Sequence, residues 1–97
     1  MRNIFVSDDI STPEKMDKVY KMLKYMFRVI YKTDFPYEEF LEEVKKDNQT
    51  IRCIIPDVSE QSYQKVQKYM KLHQGYVLES TPEKTLKKTV WEGELVA

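Results

Sequence analysis

Between residues 16 and 30 the apolar side chains Met16, Val19, Tyr20, Leu23, Met26, Phe27 and Ile30 recur at spacings of three and four. At 100° per residue they share one face, so the stretch predicts one amphipathic helix running to about residue 31. Its start is well marked. Thr12 supplies a capping hydroxyl, Pro13 suits the first helical position, and Glu14 favours the positive end of the helix dipole. A strand over 27–31 is the rival reading, and the unbroken period speaks against it. A helix with so wide an apolar face needs other elements to cover it.

Those elements can be read on either side. A short apolar strand over 4–6 precedes the helix and ends in Ser7, Asp8 and Asp9. Asp34-Phe35-Pro36 breaks the helix and opens a second one over about 36–46, with Tyr37, Phe40, Leu41 and Val44 recurring on its inner side. Residues 50–55 are β-rich and almost continuously apolar, which predicts a strand covered on both faces and ended by Pro56. Asp57 and Glu60 stand at capping-box spacing before a third helix, whose inner face is Tyr63, Val66, Met70 and His73 and whose stop is Gly75. A further strand follows over 76–79. Residues 80–84 repeat the pentapeptide of residues 11–15, a recurrent helix start, and Thr89, Trp91, Gly93 and Leu95 alternate as in an edge strand. The expected fold is one α/β domain of residues 1–97, with α+β as the alternative. It has a sheet of three to four strands, about three helices packed on it, and the order β-α-α-β-α-β-β.

Composition limits the function classes. Apolar residues make up 41% and charged residues 33%, a globular balance. No run approaches the roughly 18 apolar residues of a membrane span, so no membrane partner is expected. The first residues turn acidic too soon for a signal peptide, and Cys53 is the single cysteine. Both point to a reducing, cytoplasmic setting. There is one alanine, and lysine outnumbers arginine thirteen to three. That usage suits an AT-rich genome such as a low-GC bacterium, and a phage- or mobile-element-encoded accessory protein.

Catalytic signatures are sparse. Two glycines cannot build a phosphate-cradling loop, and one cysteine with one histidine cannot build a Cys/His zinc site in one chain. No cofactor is expected. Cys53, centred in an apolar run, reads as an inert core thiol. Asp8 and Asp9 follow the first strand and Asp57 the second. If those strands were parallel neighbours, the three carboxylates would share one sheet edge and could hold Mg²⁺ for a metal-dependent enzyme. Turn and cap roles are the plainer reading of the same residues.

Charge placement says more than the net charge of zero. Residues 13–33 carry six cations against two anions, a net of +4, and residues 34–47 carry the reverse, a net of −4. Lysines line the outer side of the first helix (15–32) and of the third (65–71), which makes nucleic acid an alternative partner. Lysine neutralises phosphate but lacks the fork with which arginine reads base edges. Met22, Tyr25 and Val29 fall outside the inner arc of the first helix, close to Lys21, Lys24 and Arg28. An apolar patch rimmed by cations is the composition of a partner-binding surface. The expectation is a non-enzymatic interaction or regulatory protein that binds another protein, or itself, through those six residues.

Overall fold

Thr12 caps the first helix as its position requires. Its backbone is extended (φ −122°, ψ 156°), and its Oγ1 accepts the Lys15 N–H at 3.2 Å. The computed structural model describes residues 2–73, 79–81 and 89–91. In chain order the elements are β1 (Arg2–Asp9), α1 (Pro13–Tyr31), α2 (Tyr37–Lys46), β2 (Thr50–Val58), α3 (Glu60–His73), β3 (Glu79–Thr81) and β4 (Val90–Trp91). The architecture is small mixed α/β.

α1 keeps its period through Phe27 to Tyr31, so no strand forms there, and it ends at Lys32 in the left-handed conformation (φ 58°, ψ 27°). α2 begins one residue later than its sequence signal, with Pro36 as its N-terminal neighbour. The third helix departs from expectation at its start. Ser59, not Asp57, is the cap: its Oγ accepts the Ser62 N–H at 3.2 Å and its carbonyl accepts the Tyr63 N–H at 2.8 Å. Asp57 still belongs to β2, in a left-handed backbone conformation (φ 55°) that Asp tolerates better than most residues.

Both long strands outrun the sequence expectation. β1 takes in Ser7, Asp8 and Asp9, which had the composition of a turn. β2 continues through a buried Pro56 to Val58. Contacts at both ends set the direction of this pair. The Ile10 N–H donates to the Gln49 carbonyl at 2.9 Å, and the Asp57 N–H donates to Asn3 Oδ1 at 3.1 Å. The start of β1 therefore meets the end of β2, and the two run antiparallel. β3 pairs antiparallel with β1 (Asn3 opposite Thr81), and β4 with β2 (Cys53 opposite Trp91), in the order β3-β1-β2-β4. Ser80 and Thr81 thus lie in a strand. Of the strand expected over 76–79 only Glu79 is described, and the rest of the helix start expected at 80–84, the stop at Gly75 and the strand beyond Trp91 lie outside the described residues.

The chain divides into two compact units, Ser7–Ile51 on one hand and Met1–Val6 with Arg52–Ala97 on the other. In the second, Ile4, Val6, Cys53, Ile55, Val58, Val66, Met70 and Trp91 are buried. The inward residues of α3 come from a 3.6-residue period, and the run Cys53 to Pro56 is buried without alternation. Arg2 sits over the Tyr63 ring at 4.4 Å and pairs with Glu60 at 2.7 Å at the exposed rim. In the Ser7–Ile51 unit, Ile10, Val19, Met22, Leu23, Met26, Phe27, Phe35, Phe40 and Ile51 are buried. Its centre is aromatic. Phe35 meets Phe27 at 5.1 Å and Phe40 at 5.5 Å, both edge-on, and Tyr20 lies 5.9 Å from Phe35. Such pairs contribute about 0.5–1.5 kcal/mol each beyond the area they bury. They join α1 to α2 across the Asp34-Phe35-Pro36 break.

Candidate interaction surface

The acidic set expected from the sequence does not assemble. Its premise was that the strands are parallel, and they are antiparallel. Asp57 lies at the Asn3 end of β1, while Asp8 and Asp9 close the opposite end of that strand. The carboxylates of Asp8 and Asp9 have local work instead. Asp9 accepts the Ser11 N–H at 2.8 Å and the Lys15 ammonium at 2.8 Å, and Asp8 accepts the Asp9 N–H at 2.9 Å. The Lys15 hydrogen bond, then those of Ser11, hold the Asp9 carboxyl down at about 2 against an ordinary 3.8. Among the described residues no group of three His, Cys, Asp or Glu side chains could hold a metal ion. Cys53 is 1% exposed, and burial pushes its thiol up to about 12, so the reactive thiolate is suppressed.

The six residues singled out on α1 divide. Met22 is only 3% exposed and belongs to the core, which corrects its placement in a surface patch. Its wheel position lies beside that of Met26, at the margin of the inner arc, and the buried arc is wider than Met16 to Ile30 implied. Tyr25 and Val29 are half-buried, and Lys21, Lys24 and Arg28 are exposed. Lys21 pairs with Asp17 one turn back at 2.9 Å, a hydrogen bond that raises the Lys21 ammonium above its ordinary value. Arg28 stands 3.9 Å from Asp34. The Lys24 ammonium lies 5.8 Å from the centre of the Tyr20 ring.

Tyr20 leads to a feature that sequence periodicity misassigns. The recurrence of Tyr37, Phe40, Leu41 and Val44 counts Tyr37 as an inward residue, yet it is 44% exposed. Its ring nonetheless packs edge-on to Tyr20 at 5.0 Å and stacked over Phe40 at 6.3 Å. A residue in the first turn, next to Pro36, has no preceding turn to cover it. That position was the available signal. Phe40 below is fully buried, so the exposed edge of Tyr37 stands on a rigid base. Glu38 and Glu39 follow on the exposed side of α2, favourable to the helix dipole and in no ion pair among the described residues. Tyr20 and Tyr37 thus meet where α1 and α2 touch, with Lys24 beside Tyr20; the outward side of α2 is mixed, with Lys45 and Lys46 exposed as well as Glu38, Glu39 and Glu42.

A different surface lies on α3. Lys65, Lys68 and Lys71 are exposed along one side, with Leu72 69% exposed beside them. The acid of that helix, Glu60, is engaged with Gln64 and Arg2, which lower its carboxyl below the ordinary range, Gln64 first. No helix among the described residues is long and apolar enough to cross a membrane. No family model matches the chain, and no curated protein or solved structure shows significant similarity to it.

Proposed function

We propose that the chain is a non-enzymatic binding domain that docks another protein through the outer face of α1 and α2 and modulates it. One observation carries this reading: Tyr37 is 44% exposed yet packed against Tyr20 and the buried Phe40, with Lys24 beside Tyr20. An aromatic ring packed on its neighbours has less rotamer freedom to lose on binding, and aromatic residues are enriched among binding hot spots. A cytoplasmic accessory protein, encoded by a phage or mobile element of a low-GC bacterium, is the setting this reading implies.

The test compares three immobilised proteins in a nuclease-treated lysate of a low-GC bacterium. They are the unmodified chain, Tyr37→Ala, and the combined Lys65→Glu, Lys68→Glu, Lys71→Glu variant. The expected result is a protein retained by the first and third and weakened at least about tenfold by Tyr37→Ala, the lower end for an aromatic anchor. Equal capture by all three overturns the reading. A second reading, nucleic-acid binding, is favoured by the exposed lysine row on α3. It requires salt-dependent retention of DNA or RNA that the triple lysine variant abolishes.

A further inference from the structure

We infer that the partner protein presents an acidic amphipathic segment to α1, held by the cations that run from Lys18 to Lys32. The inference rests on the binding reading above and names the chemistry of its partner.

The ground for it lies within one helix. From residue 18 to residue 32 the chain carries Lys18, Lys21, Lys24, Arg28 and Lys32 and no carboxylate. All five cations are exposed. The four on α1 fall within an arc of about 120° on the helical wheel, and Lys32 caps the helix end. The row covers roughly 20 Å of helix axis. Little of its charge is neutralised at home. Lys18 and Lys24 make no ion pair among the described residues. Lys21–Asp17 and Arg28–Asp34, the latter at 3.9 Å, join mostly exposed groups, and such pairs hold weakly in water. A row of one sign complements a partner surface of the other.

Two features favour an acidic polypeptide over a nucleic acid. The row is short and bounded by acids, Glu14 and Asp17 before it and Asp34 after it. A continuous phosphate backbone laid along α1 would run past those carboxylates, whereas a segment of about four helical turns ends before them. The row is also not purely polar. Tyr25 falls inside the cationic arc and Val29 at its edge, both half-buried, and Lys24 leads on to Tyr20 and Tyr37. An amphipathic acidic segment covers such apolar surface with its own apolar side chains while its carboxylates meet the lysines. Phosphates supply the charge alone, and of the five cations only Arg28 has the fork that reads base edges.

Fluorescence anisotropy of labelled probes tests this on the full chain at low salt. The probes are a random copolymer of Glu and Tyr, a poly-Glu of equal charge and an oligo(dT) of equal charge. The copolymer should bind most tightly, because it alone offers both carboxylates and rings, and added salt should weaken it. Lys18→Gln, Lys21→Gln and Arg28→Gln together should weaken it about tenfold, as expected of three exposed ion pairs lost at once. Lys65→Gln, Lys68→Gln and Lys71→Gln together, the same change in charge on α3, should leave it unchanged. A copolymer that does not bind overturns the inference. So does poly-Glu or oligo(dT) binding as tightly as the copolymer, which makes charge alone sufficient. Equal weakening by the two triple variants also overturns it, because the attraction is then diffuse. Comparison of the three probes on the unmodified protein needs no variant, so a folding defect in either one leaves the inference falsifiable. Its failure is separable from that of the binding reading: a lysate protein released by Tyr37→Ala but retained by the α1 triple variant removes the acidic segment and leaves the binding domain.

Discussion

Asp9 shows how one exposed carboxylate can organise a strand end. It binds the Ser11 N–H, which turns the chain out of β1, and the Lys15 ammonium on the first turn of α1. Both contacts favour the ionised form, so the folded carboxyl titrates at about 2 and the unfolded one near 3.8. With a depressed folded value, the stabilisation is complete above the unfolded value and is lost as pH falls from there through about 2. The pair is exposed, so salt weakens it. Side-chain carboxyl chemical shifts followed by NMR should give Asp9 a midpoint well below the ordinary 3.8. Lys15→Met should move that midpoint upward but not fully to 3.8, because the Ser11 bond remains. An unchanged midpoint would show that Lys15 is not the main cause. Asp57 illustrates the other use of a short polar side chain. It accepts a positive φ at the end of β2, and its N–H is taken by the side chain of Asn3.

At the scale of elements, α2 owes its position to rings. Phe40 is fully buried and lies within 6.3 Å, centre to centre, of Tyr20, Phe35 and Tyr37. Phe40→Ala removes the shared centre of these contacts and leaves a cavity, so it should cost about 3–5 kcal/mol. That is a large part of the roughly 5–15 kcal/mol that keeps a domain folded. Tyr37→Ala removes the exposed upper ring and should cost only about 1 kcal/mol, on the order of one aromatic pair. Urea unfolding of the two variants checks both values. Similar losses would mean that Tyr37 is as structural as Phe40, and the exposed anchor would lose its separate role. The same contrast makes Tyr37→Ala a usable binding probe, since it leaves α2 in place.

For the molecule as a whole, what could be read in the sequence was what is local. The three helices follow from repeats of three and four and from Thr12, Pro13 and Pro36, all set within a few residues. The strands were legible as apolar runs, but their lengths were not. Ser7-Asp8-Asp9 has the composition of a turn, and Pro56 that of a stop, and pairing with a distant strand overrides both. Strand direction depends on Ile10 meeting Gln49, a contact that no local pattern encodes. The acidic cluster failed for that reason alone. The surface on α1 was half legible. The exposure of Lys21, Lys24 and Arg28 follows from the wheel, but the burial of Met22 and the exposure of Tyr37 depend on what covers each helix.

The hydrogen bond from Ile10 to Gln49 also bears on the order in which the chain can acquire its structure. It closes a loop of some forty residues, and bringing such ends together from a disordered chain costs roughly 3 kcal/mol in entropy. α1 and α2 lie wholly inside that loop, and Tyr20, Phe35 and Phe40 join them over short sequence separations. A helical pair formed early shortens the effective loop before the strands meet, as rapid formation of local contacts requires. Leu23→Ala, in the α1 core, should therefore slow folding, and Ile51→Val, at the mouth of the loop, should mainly speed unfolding. Stopped-flow chevrons resolve the two effects, and the opposite partition would mean that the strands meet first and the helices condense onto them.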